Sequence, residues 1–82
     1  MSIQPIIREL TPHDRYLAHE PGARYGYRGT VIEGVPEGWD VLQGDRPRDA
    51  DFAEIGWGWD MYAAMEVANE HVDGFERVKR AA

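Results

Sequence analysis

Three histidines and fifteen carboxylates are the side chains with most chemistry to offer in this chain of 82 residues. Together they could hold a divalent metal or pass protons. A metal site needs two ligands at helical spacing and a third converging from elsewhere. His13-Asp14 and His19-Glu20 fall in a stretch rich in proline and glycine, and His71 follows Glu70, with only Glu66 and Glu70 at the i, i+4 spacing of one helix face. No HExxH pattern is present, so the expectation is surface histidines and no metal. Asp45, Asp49, Asp51 and Glu54 evoke a calcium loop, but the DxDxDG core is missing and Arg46 and Arg48 intervene. Solvated loop charge is the ordinary alternative there.

Covalent catalysis has equally little to build on. The chain has one serine, Ser2, two threonines, Thr11 and Thr30, and no cysteine. It contains no GxSxG elbow and no phosphate-cradling GxGxxG or P-loop. The expectation is therefore a protein that is not an enzyme and uses no cofactor; a small hydrolase or metal protein is the remote alternative. Without cysteine there is no disulfide framework, which fits a reducing compartment. The first ten residues, MSIQPIIREL, hold five apolar side chains broken by Pro5, too few for a signal peptide or membrane span. A cytoplasmic protein without membrane contact is expected.

Charge is unevenly distributed. Residues 1–32 carry three acids and four arginines, and residues 77–82 add Arg77, Lys79 and Arg80, whereas residues 33–76 hold twelve acids against Arg46 and Arg48. A net −10 over that middle repels phosphate backbones and attracts basic partners. Direct nucleic-acid binding is not expected. Carboxylates on a compact face can replace phosphates in an Arg/Lys groove, although acids also serve ordinary solubility. Next to them, GWGWD places Trp57 and Trp59 between glycines, and Trp39 follows a turn. Tryptophan dominates protein–protein hot spots and accepts cations on its ring face. A small core also needs aromatics, and two of the three tryptophans are expected to be mostly buried.

The elements that must position these residues follow from pattern. One domain spans residues 1–82. Ile3, Pro5 and Ile7 alternate, pointing to a short edge strand over 2–10, where proline is tolerated. Thr11 to Arg24 reads as loop with one helical turn after Thr11-Pro12. Tyr25, Tyr27, Val31 and Ile32, then Trp39, Val41 and Leu42, form the arms of a β-hairpin whose turn is Pro36-Glu37-Gly38; Gly29 and Gly34 mark bulges or close backbone approach. Residues 43–59 read as a polar connection with a helical turn near 50–55. Met61, Ala64, Met65, Ala68, Val72 and Phe75 make the apolar stripe of a helix, with Asp60 at its N-cap and Gly74 at its C′ position. The basic end continues as a frayed helix, a last strand or a tail. The predicted fold is α+β, a small two-layer sandwich with an antiparallel hairpin of two to three strands on one amphipathic helix.

The run YRGTVIEG, a turn, GWDVLQG and the helix MYAAMEVANEHV resembles the strand-turn-strand-helix layout of small phage- and prophage-borne proteins. Among these are anti-CRISPR proteins, acidic single domains that bind an effector complex and block its crRNA- or DNA-binding surface, or stop nuclease recruitment. The resemblance covers roughly residues 25–75 and implies an inhibitor acting as a DNA mimic. Arg77, Lys79 and Arg80 depart from a purely acidic mimic. The expected function is an acidic, aromatic-bearing face that blocks a basic surface of a protein or ribonucleoprotein complex. Its residues are Glu33, Glu37, Asp40, Asp45, Asp49, Asp51 and Glu54, with Trp57 or Trp59 as anchor. A self-associating homodimer that buries the hairpin edge or helix flank is the alternative.

Overall fold

The computed structural model describes residues 6–44 and 53–81, with side chains to Arg77. A four-stranded antiparallel sheet in the order β1-β2-β3-β4 carries one helix on one face. The strands are β1 (Arg24–Tyr27), β2 (Thr30–Val35), β3 (Gly38–Gln43) and β4 (Glu54–Gly58), and the helix is α1 (Met61–Ala81). The α+β two-layer fold is as expected, with more strands than the sequence pattern revealed.

Two strands escaped that pattern. The first arm of the expected hairpin is itself a hairpin, turning at Arg28-Gly29, where both residues have positive φ (52° and 83°). A two-residue turn of this kind matches the twist of its flanking strands, so Gly29 marks a turn and not a bulge. Arg28 bears the left-handed conformation while its guanidinium grips α1, donating to Asn69 Oδ1 at 2.8 Å and to Asp73 Oδ1 at 2.9 Å. Gly34 does mark a close approach, since a β-carbon there would overlap the Glu20 carbonyl oxygen.

The second surprise is β4, where a helical turn was expected near 50–55. Its register explains the GWGW run. Val41 pairs with Gly56 and Trp39 with Gly58, so both glycines lie on the face that α1 covers. A β-carbon on Gly58 would overlap the backbone nitrogen of Ala64, and one on Gly56 would come 2.6 Å from Val67 Cγ1. Glycine at alternate positions lets α1 lie directly on the strand, and the same alternation sends Trp57 to the other face.

The core between the layers joins Tyr25, Tyr27, Ile32, Trp39 and Val41 of the sheet to Met61, Ala64, Met65 and Ala68 of α1. Asp60 caps α1 as expected, its Oδ1 accepting the Ala63 amide at 2.8 Å. Gly74 does not end the helix, which runs on to Ala81. At 21 residues α1 is about 31 Å long at 1.5 Å per residue, more than strands of four to six residues can cover. The stripe therefore outlasts the core: Val72 is half-buried and Phe75 is 68% exposed.

The two sheet edges differ. Residues 7–10 run parallel to β1 and hydrogen-bond to it, Ile7 N donating to Arg24 O at 2.7 Å, Gly26 N to Arg8 O at 3.0 Å and Leu10 N to Gly26 O at 2.7 Å. This is the edge segment expected near the N-terminus, restricted to residues 7–10; residues 2–5 lie outside the described ones. The turn after Thr11 is also present, a 3₁₀ turn over Pro12–Tyr16. β4 forms the opposite edge and pairs, among the described residues, with β3 alone. No helix among the described residues is long and apolar enough to cross a membrane.

Candidate functional site

The sheet register divides the expected acidic face. Arg24, Glu33, Asp40 and Trp57 are successive cross-strand partners in one row, on the side of the sheet away from α1. Arg24 is buried and its guanidinium lies 3.4 Å from Glu33. Asp40 is also buried, and both residues have further interaction partners. Two like charges placed opposite each other are unfavourable without a cation nearby, and Arg24 supplies one beside Glu33. Asp40 therefore presents little carboxylate to solvent and Glu33 is half-buried beside Arg24, so both differ from an open acidic face. Breaking such a row by deleting one member leaves uncompensated charge and costs the fold more than it costs binding.

Glu37 and Glu54 are exposed, as expected. Glu37 sits in the Pro36-Glu37 turn and Glu54 opens β4. Asp45, Asp49 and Asp51 lie outside the described residues. Among the tryptophans the expectation of two buried rings is corrected to one. Trp39 is fully buried, whereas Trp57 is 45% and Trp59 is 70% exposed. The reason is the alternation in β4, which gives the helix-facing positions to glycine and leaves the indoles outside.

Trp57, Trp59 and the β2–β3 turn form one surface. A β-carbon on Gly38, the residue after Glu37, would lie 3.1 Å from Trp57 Cζ2 and 3.0 Å from Trp59 Cα. Two large indoles and the turn that carries the exposed Glu37 thus share one corner of the molecule, at the end of β4 and the start of α1. Tyr62 and Tyr16, half- and largely exposed, extend it across a cleft of about 460 Å³ that includes Arg15, Leu17 and Asp60. The Arg15 guanidinium carbon stands 5.2 Å from the Tyr16 ring centroid. Sequence reasoning missed the tyrosines. The signal for Tyr62 was its place one residue off the apolar stripe; Tyr16, in a loop, offered none.

Of the histidines, His19 is structural, its Nε2 2.7 Å from Val35 O and its ring 5.7 Å from that of Trp39 in an edge-on arrangement. Among the described residues no three histidines or carboxylates converge as a metal site would require.

Asp14 closes the capping box of the 3₁₀ turn. Its carboxylate takes two hydrogen bonds from Arg8, at 2.8 and 3.1 Å, and one from the Thr11 amide at 2.7 Å. The Arg8 hydrogen bonds first, and the Thr11 amide second, hold this carboxyl well below the usual carboxylate range. The folded chain therefore binds this proton less readily than the unfolded one. The stabilisation is fully present above about pH 4 and is lost as the pH falls below it. Asp14→Asn should lower the denaturant midpoint at pH 7 and approach wild type in acid. A difference independent of pH would assign the effect to the turn and not to the charge.

No family model, curated protein or solved structure matches this chain. The resemblance to the anti-CRISPR type gains no support from these comparisons.

Proposed function

We propose that the chain is a non-enzymatic binding protein that docks the corner of Trp57, Trp59 and Glu37, with Glu54 along β4, on a basic surface of a larger protein or ribonucleoprotein. The observation that carries this reading is the outward display of two indoles in a domain that keeps only Trp39 for its core. Large aromatics left in water beside carboxylates suit arginine- and lysine-rich partners, which can stack on the rings and pair with the acids. The edge of β4, which no other described strand pairs, adds a backbone row that an extended partner segment can complete. An inhibitor of the anti-CRISPR type is the most concrete form of the proposal and rests on the layout resemblance alone.

Charge acts here through encounter rate and specificity, so the association should be salt-sensitive. Affinity capture from a lysate should recover a basic or nucleic-acid-binding complex at low salt and lose it at high salt. The double reversal Glu37→Lys and Glu54→Lys should lose it at low salt as well. Capture indifferent to both salt and reversal would refute the reading.

A further inference from the structure

We infer that the seam between the 3₁₀ turn and α1 is a groove for a proline-rich segment of another protein, one that carries arginine or lysine beside its prolines. The inference goes beyond the proposed function and does not rest on it, because neither Trp57 nor Trp59 lines the groove.

The groove consists of two hollows that share one ridge. The larger, about 460 Å³, lies among Tyr16, Leu17, Asp60 and Met61, and the smaller, about 110 Å³, among Pro12, Met65, Glu66 and Asn69. Arg15 and Tyr62 line both and divide them. Met61 and Met65 are buried and floor the hollows, whereas the Tyr16 ring stays largely exposed and the Tyr62 ring half exposed. Two rings that the core does not use thus stand as walls. Aromatic-lined grooves of this kind take segments in the polyproline II conformation.

Spacing is the first property that names the occupant. Positions 61 and 62 of α1 line the first hollow and positions 65, 66 and 69 the second, so the midpoints lie about five residues apart, roughly 8 Å at 1.5 Å per residue. One turn of polyproline II, three residues at about 3.1 Å each, advances about 9 Å. Proline rings at i and i+3 therefore reach both hollows at once. An amphipathic helix needs a continuous apolar trough, which the Arg15 and Tyr62 ridge interrupts.

Hydrogen bonding is the second. A proline-rich segment brings carbonyls that no internal bond occupies and has no N–H at its prolines, so it asks the groove for donors. The ridge supplies them. The Arg15 guanidinium, 5.2 Å from the Tyr16 ring centroid, forms no ion pair among the described residues, unlike Arg8, Arg24 and Arg28. Tyr62 adds its hydroxyl. Asn69 Oδ1 already accepts the Tyr27 hydroxyl at 2.9 Å and Arg28 at 2.8 Å, which leaves the amide nitrogen of Asn69 to donate.

Charge is the third. Asp60 lines the first hollow and Glu66 the second, on a chain of net charge −6. A carboxylate at each hollow attracts a basic residue flanking the prolines and repels phosphate-bearing lipid or nucleic acid.

A nuclear magnetic resonance titration of the isotope-labelled chain with a synthetic hexaproline peptide ending in two arginines tests the inference. The backbone signals of Tyr16, Tyr62 and Met65 should move saturably. A glycine-serine peptide of the same length and charge should bind about tenfold more weakly, since it lacks the rings and loses more conformational freedom on binding. Tyr62→Ala and Tyr16→Ala should each weaken the proline peptide about tenfold, and circular dichroism should show both folded, because both rings are exposed. Trp59→Ala should change that affinity less than about twofold. No saturable shift, equal binding of the two peptides, or an affinity indifferent to both tyrosines would overturn the inference. Failure of the proposed function shows elsewhere, in the Trp57 and Trp59 signals against a basic partner that contains no proline.

Discussion

Trp39→Ala is expected to remove a large share of the folding free energy and to shift the unfolding midpoint sharply. Trp39 is fully buried near the start of β3, its ring 5.7 Å from that of His19 and 6.1 Å from that of Tyr25, with Gly58 as its cross-strand partner beneath α1. Truncating a buried aromatic to alanine costs about 3–5 kcal/mol through lost burial and the cavity left behind. A chain of 82 residues has roughly 4–12 kcal/mol of stability to lose, at 0.05–0.15 kcal/mol per residue. Trp39→Phe should be much milder, because among the described residues the buried indole Nε1 has no hydrogen-bond partner for the replacement to forfeit. Urea unfolding followed by circular dichroism reads both. An alanine variant with a wild-type midpoint would contradict the placement of the core.

The second large effect falls on binding and leaves the fold alone. Trp57→Ala and Trp59→Ala should each weaken association with a basic partner by about 30-fold or more, the equivalent of roughly 2 kcal/mol at a hot spot. Both rings are substantially exposed, so each change should move the unfolding free energy by no more than about 0.5 kcal/mol. Three tryptophans in one small domain thus divide into one that the fold needs and two that it does not. Titration of each variant against the captured partner, beside its urea curve, separates the roles. Loss of stability without loss of affinity at Trp57 or Trp59 would assign those rings to the core instead.

How much of this was legible in the sequence depends on which interaction decided each element. The helix start was legible because Asp60 and the stripe from Met61 to Ala68 combine a local cap with tertiary burial. Its end was not. Gly74 carries the usual stop signal, yet the chain continues helical through it; a mid-helix glycine costs only about 1 kcal/mol. The strand β4 was hidden because glycine and charge depress strand propensity, and only the approach of α1 explains why glycine is required at positions 56 and 58. The Arg28-Gly29 turn was hidden for a similar reason. Its unusual residue is arginine, held in the left-handed region by a strand pairing and by its grip on Asn69 and Asp73.

The candidate site was legible in composition and obscure in geometry. The sequence named Glu33 and Asp40 beside Glu37 and Glu54 as one acidic group, but neighbouring numbers do not share a face. The register sets Glu33 between Arg24 and Asp40 in one row, with Asp40 buried and Glu33 half-buried, while the turn leaves Glu37 in water. The sequence offered both indoles as candidate anchors, and their exposure follows from the glycines on either side.

The most direct test of the central claim is a nuclear magnetic resonance titration of the three indole N–H signals with an oligo-arginine peptide, at low salt and at a protein concentration where the chain is monomeric. The account predicts that the Trp57 and Trp59 signals move together and saturably, that Trp39 stays fixed, and that high salt reverses the shifts. Shifts at Trp39 alone, or none at Trp57 and Trp59, would contradict a basic-partner site at this corner.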